Sequence, residues 1–233
     1  MTGILYLVAT PIGNLKDITL RALEVLKEVD LIACEDTRHT LKLLTHYQIK
    51  KPLVSYFEHN KFHQAKFIIH QIQSGKKVAL VSNAGTPLVS DPGYELVRQC
   101  LAENITVIPI PGPTALISAL IISGFSTDRF VFEGFLPLKT SKQKKRLTAL
   151  QNEERTIVFY VSPHRLRPTL GLILEYLGDR PITLVKELTK LYESTRRGKI
   201  SEIIEQLSKS EIKGEYTLVV EGKKQQENEK CRL

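Results

Sequence analysis

Three short loops rich in Gly and Pro carry the residues best suited to gripping a small ligand. They are Thr10-Pro11-Ile12-Gly13-Asn14, Ser82-Asn83-Ala84-Gly85-Thr86-Pro87 with Ser90-Asp91-Pro92-Gly93 just behind it, and Pro111-Gly112-Pro113-Thr114. Each follows an apolar run that reads as a strand. Gly lets the backbone approach a ligand closely, and small residues with free N–H groups hold a carboxylate or hydroxyl through the main chain. Tight turns favour the same residues, so one loop decides little. Three in one half of the chain point to a ligand site.

Groups able to move protons or hold charge cluster elsewhere. Glu35-Asp36-Thr37-Arg38-His39 closes a strand, and a carboxylate pair beside Arg can orient a substrate or accept a proton. Asp36 or Thr37 can equally cap a helix beginning there. Lys186-Glu187-Leu188-Thr189-Lys190 places a second charged group at a strand exit. Ser162-Pro163-His164-Arg165 starts a helix with Pro near its first position, and His164 and Arg165 are either surface groups or phosphate contacts.

Lys139, Lys142, Lys144, Lys145 and Arg146 form a run of five cations with no acid between them, and Arg196, Arg197 and Lys199 form a second cluster. Charge runs are commonly solvated faces. With a formal net charge of +8, contact with a polyanion such as RNA is a fair competitor, because Lys and Arg release counterions on neutralising phosphates.

Several chemistries lack their motif. There is no G-x-G-x-x-G, no G-x-x-x-x-G-K-[ST] phosphate loop and no G-x-S-x-G nucleophile elbow. His59 and His63 have the i, i+4 spacing of metal ligands, but Glu58 precedes the pair, so H-E-x-x-H is not met. No metal is expected.

The elements that must position these residues alternate. Strands are expected over residues 4–9, 31–34, 53–56, 77–81 and 105–110, and helices over 19–28, 37–47, 62–73 and 94–103. Repeated β-α units of this length require a mostly parallel sheet covered on both faces. The Pro/Gly cluster at 109–113 reads as a hinge. Beyond it a helix is expected over 114–123, strands over 130–136, 156–161, 182–188 and 216–221 with a weaker one at 193–200, and helices over 142–151, 165–177 and 201–208. The reading is α/β: an N-terminal lobe over 1–112, a C-terminal lobe with a mixed sheet over 113–222, and a polar, frayed tail over 223–233.

The 233 residues suffice for two such lobes with a real core. The longest nearly apolar stretch, residues 115–125, is too short to span a bilayer, which takes about 20 residues. The N-terminus has no basic region or cleavage site, and Cys34, Cys100 and Cys231 form no C-x-x-C pair. A cytoplasmic protein is the expectation.

Taken in order, LYLVATPIGNLKDITLRALEVL, ACEDTRHTLKLL, VALVSNAGTPLVSDPGYELV, VIPIPGPTALISAL, FEGFLP, FYVSPHRL, KELTKLYE and KGEYTLVVEG resemble the small-subunit ribosomal RNA methyltransferases of the tetrapyrrole methylase superfamily. The resemblance runs from Leu5 to Gly222. It implies a two-lobed fold with S-adenosylmethionine (AdoMet) in the cleft between lobes, a homodimer, and 2′-O-methylation of a cytidine in the decoding region of 16S rRNA. Carried over residue by residue, it implies AdoMet contacts at Pro11, Ser82, Ala84, Gly85, Thr86, Thr114, Ala115 and Val161. The family pattern has Asp where this chain has Asn83 and Glu where it has Val161, so both positions have lost a charge. For such a transfer Asp36 is the candidate base or orienter, Arg38 its partner or a phosphate contact, and Glu187 with Lys186 the alternative pair. The cations from Lys139 to Arg146 are the candidate RNA contacts. The rival readings are a precorrin-type tetrapyrrole methyltransferase and a non-catalytic RNA-binding ribosome-assembly protein.

Overall fold

In the computed structural model, which describes residues 3–208 and 211–224, the first part of the chain alternates strand and helix throughout. It runs β1 (Ile4–Val8), α1 (Leu20–Glu28), β2 (Leu31–Cys34), α2 (Thr37–His46), β3 (Leu53–Ser55), α3 (Lys61–Gln73), β4 (Lys77–Val81), α4 (Tyr94–Ala102) and β5 (Thr106–Ile110). The five strands pair in parallel in the order β3-β2-β4-β1-β5. A strand covered on both faces must be apolar at every position, and β2 is buried at all four residues. Leu5, Val78 and Leu80 pack against Ala65, Ile68, Leu96 and Cys100 from α3 and α4. On the opposite face Val8, Ile32, Ala79 and Val81 meet Ala22, Leu26 and Leu44 from α1 and α2.

Caps fix where these helices start. The Thr19 hydroxyl accepts from the Ala22 N–H at 3.1 Å, and the Asp36 carboxylate accepts from the Arg38 and His39 N–H groups at 2.8 and 3.3 Å. Gly93, at φ +145°, opens α4 without a side-chain cap.

The chain divides into two compact units after Thr114. The second unit holds α5 (Ala115–Ile121), β6 (Phe130–Phe135), α6 (Thr140–Ala149), β7 (Thr156–Val161), α7 (Leu166–Leu177), β8 (Pro181–Lys186), β9 (Ser194–Lys199), α8 (Ile200–Ser208) and β10 (Tyr216–Val220). Its sheet, β6-β7-β10-β8-β9, is mixed, with only β6 and β7 parallel. Ile157, Phe159, Leu184 and Leu218 face α6, α7 and α8, while Val158, Val185 and Val219 face α5. Among the described residues no helix is long and apolar enough to cross a membrane. Most of the tail, residues 225–233 with Cys231, lies outside the described residues.

Candidate active site

The first unit's connections make β4 a topological switch point. The helices after β1 and β2 cover one face of the sheet, and those after β3 and β4 cover the other. β4 lies between β1 and β2, so both neighbours send the chain to the face opposite its own. Crevices open at such switch points, beyond the carboxyl ends of the strands.

The three Gly/Pro loops leave those carboxyl ends and are bonded to one another. Thr10 and Gly85 exchange two backbone hydrogen bonds, of 2.9 and 3.0 Å. The Thr10 hydroxyl donates to the Ser82 carbonyl at 3.1 Å, and the Thr86 hydroxyl to the Pro113 carbonyl at 3.4 Å. Gly85 sits at φ +83°, and a Cβ there would come 3.3 Å from Ile12 Cγ2 and 3.7 Å from the Pro113 oxygen. A Cβ on Gly112 would lie 2.9 Å from that of Ala9. Leu88 and Ser90 also hold the left-handed backbone conformation, at φ +72° and +66°. Such strain in non-Gly residues persists where surrounding structure enforces it, and it concentrates at functional sites.

Polar groups gather where the exits of β2 and β4 meet. Asn83 Nδ2 donates to Glu35 Oε2 at 2.9 Å, while Asn83 Oδ1 is a buried acceptor with no partner in the protein. Burial pushes the Asp91 carboxyl up to about 6; the Glu35 carboxylate adds to the rise and the Ser82 hydroxyl opposes it. Asp91 was not among the expected site residues. Its S-D-P-G setting reads as a turn, and the burial that raises its pKa is tertiary.

Asp36 takes the capping role. Its carboxylate lies below the usual range because the Arg38 and His39 amides bond to it, which makes it a weak base. Asp36 and Arg38 are both exposed. Pro11 and Ser82 are buried, Thr86 is partly buried and Ala84 is exposed. Thr114 ends the first unit, and Ala115 opens α5.

In the second unit Val161 is packed in the core. Glu187, at φ +52°, accepts from the Glu215 N–H at 2.8 Å and from Lys190 Nζ at 3.0 Å. Burial raises its carboxyl, but the Glu215 amide and the Lys190 and Lys186 charges outweigh that and hold it below the usual range. Glu187 therefore braces its turn and is also a poor base. Lys186, its proposed partner, lines a separate cavity.

The helix expected from Lys142 starts two residues earlier, so Lys139 is the N-cap residue of α6, and Lys142, Lys144, Lys145 and Arg146 lie within it. All five side chains reach solvent. Arg146 is engaged, with Nη2 2.6 Å from Glu133 Oε1 and a second bond from Nε to Oε2. The preceding loop is pinned: Gln143 donates to the Pro137 carbonyl at 2.7 Å, and Arg165 to the Leu136 and Pro137 carbonyls at 2.9 and 2.8 Å. Arg165 is thus a structural group. Among the described residues no three His, Cys, Asp or Glu side chains come together to hold a metal ion.

A parallel sheet covered on both faces, with loops interlocked at its switch point, defines a doubly wound α/β fold. Residues 4–204 match the family described as Tetrapyrrole (Corrin/Porphyrin) Methylases. The chain is 54% identical to "Ribosomal RNA small subunit methyltransferase I" of Synechocystis, over 94% of this chain and 79% of that protein. It is 51% identical to the protein of the same name from Thermotoga maritima, over 95% of this chain and 99% of that one. Among solved structures, uroporphyrin-III C-methyltransferase from Thermus thermophilus, complexed with S-adenosylhomocysteine, superposes with a TM-score of 0.66 at 21% identity, covering 94% of this chain and 97% of that one; this likeness concerns the fold. The chain belongs to the tetrapyrrole methylase family, in the branch of the ribosomal RNA small subunit methyltransferases I.

Proposed function

We propose that this chain transfers a methyl group from AdoMet to the ribose 2′-oxygen of a cytidine in small-subunit ribosomal RNA, in the decoding region, and works as a cytoplasmic homodimer. The observation that carries the reading is the interlocked set of loops around β4, in a chain about half identical to ribosomal RNA methyltransferases along nearly its whole length. The loops suit AdoMet. Gly85 leaves room for close main-chain approach, and the unpartnered Asn83 Oδ1 is an acceptor for an ammonium or hydroxyl donor. Pro11, Ser82, Ala84, Gly85, Thr86, Thr114 and Ala115 are the residues proposed to hold it. Val161 belongs to the packed core and supports the fold.

AdoMet supplies an electrophilic methyl group, and the acceleration comes from aligning acceptor and donor and from removing the hydroxyl proton. Asp91, at about 6, is the loop carboxylate best matched to take that proton near neutral pH, with Glu35 and Ser82 setting its environment. Asp36 and Arg38 remain the candidates for orienting the acceptor.

The cations of α6 favour a polyanionic acceptor. Lys139 is the N-cap residue of that helix and Lys142 stands in its first turn, with no acid there, where the helix dipole disfavours positive charge. Replacing Lys142, Lys144 and Lys145 with Gln should weaken subunit binding and flatten its salt dependence, by up to about one log–log unit for each phosphate the helix no longer neutralises. AdoMet affinity should be unchanged. Equal affinities and parallel salt slopes would remove α6 from the RNA interface. The activity itself is tested by radiolabel transfer from AdoMet to unmodified small subunits, set beside a tetrapyrrole acceptor. Labelled RNA is expected, and label on the tetrapyrrole alone would overturn the reading.

A further inference from the structure

A cavity of about 60 Å³ opens in the second unit at the end of its sheet, lined by Leu184, Lys186, Ser194, Arg196, Leu207 and Tyr216. About 10–15 Å³ of such space accommodates one water, so this one admits a group the size of a phosphate. Strand register assembles its polar wall. Tyr216 on β10 stands opposite Lys186 on β8, which stands opposite Ser194 on β9, and Arg196 lies two pairs further along, opposite Leu184. Lys186 and Arg196 are therefore diagonal neighbours on one sheet face, within reach of long side chains.

Both cations are partly buried, and among the described residues neither forms a salt bridge with an acid. Glu211, also at the cavity, gives its carboxylate to Lys213 at 2.7 Å. The Tyr216 phenol is raised by burial, with Arg196 opposing the rise, and the Lys213 amide bonds to its oxygen. Its O–H is left to donate. A guanidinium fork, an ammonium and a phenol around one small cavity match an oxyanion with several acceptor oxygens.

We propose that this cavity is a subsite for a backbone phosphate of the polynucleotide acceptor, held by Arg196 and Lys186 with Tyr216 donating. The proposal rests on the ribosomal RNA reading and adds a contact distinct from α6. Arg is the specific element, because its planar fork engages two phosphate oxygens at once.

The test titrates the full chain with inorganic phosphate and with a short single-stranded oligoribonucleotide, following the Arg196 side-chain and Ser194 amide signals by NMR. Both probes should shift these signals, and the oligoribonucleotide should displace phosphate. Arg196→Gln should reduce oligoribonucleotide affinity about tenfold and raise the KM for subunits, with AdoMet affinity unchanged. Arg196→Lys, which keeps the charge and loses the fork, should fall between. A response to phosphate but not to the oligoribonucleotide reveals a free-anion site and overturns the assignment, as does wild-type affinity in a folded Arg196→Gln. The two readings fail separately. Oligoribonucleotide binding here without methylation of subunits retains the subsite and sinks the ribosomal RNA reading, whereas methylation with silent Arg196 signals sinks the subsite alone.

Discussion

Gly85→Val is expected to weaken AdoMet binding tenfold or more, about 1.4 kcal/mol at the least. The residue sits at φ +83°, where a β-branched side chain is strongly disfavoured, and its backbone ties the second loop to Thr10. Any Cβ there also presses on Ile12 and faces the Pro113 carbonyl, so the substitution disturbs all three loops together. The strain should lower stability by about 1–3 kcal/mol, which a chain of this size can survive. Calorimetry on the folded variant checks the binding loss, with Gly85→Ala as the milder companion. Unchanged affinity in a folded Gly85→Val would place the AdoMet site elsewhere.

Asp91→Asn should reduce methyl transfer well over tenfold while leaving AdoMet affinity near that of the wild type. The wild-type rate should rise with pH through an ionisation near 6 and lose that limb in the variant. Stability should move the other way. The folded pKa of Asp91 is raised above its unfolded value of roughly 3.9, so the folded state binds more protons between the two values. Its ionisation therefore costs stability as pH rises through about 4 to 6, and the cost persists above. Asp91→Asn should gain about 1 kcal/mol at pH 8, after allowance for solvent screening of a partly exposed group, and nothing below pH 4. Chemical denaturation at the two pH values measures this. A variant that loses activity and shows no pH-dependent gain would reduce Asp91 to a structural residue.

The fold was legible where apolar periodicity and turn residues agree. The strands at Leu31–Cys34, Lys77–Val81 and Thr156–Val161 have the bounds their apolar runs imply, because each is covered on both faces and a polar residue stands only at the first position of the latter two. Ser194–Lys199 is nearly all polar, so its strand character derives from pairing along β8 and barely registers in composition. The first turn of α6 carries no side-chain cap, which left its start two residues out. At the site, the second Gly/Pro loop was visible because Gly at a positive φ, as at Gly85 and Gly93, is a local requirement, and the third because Gly112 passes too close to Ala9 for a side chain. The Thr10–Gly85 bridge, the Asn83–Glu35 bond and the Glu35 charge near Asp91 join residues 48 to 75 positions apart in the chain, and no spacing rule encodes them. Asp36 was legible in both its roles, and the hydrogen bonds to its carboxylate favour capping.

Methyl transfer to a ribose of small-subunit ribosomal RNA is read out by incubating the protein with isotopically labelled AdoMet and small ribosomal subunits lacking the modification. Mass spectrometry of RNA digests then locates the label. One labelled nucleotide is expected, a cytidine carrying the methyl on its 2′-oxygen, in wild type and at well under a tenth of that level in Asp91→Asn. Label on a base, or AdoMet binding with no label in RNA at all, would contradict ribose methylation by this chain.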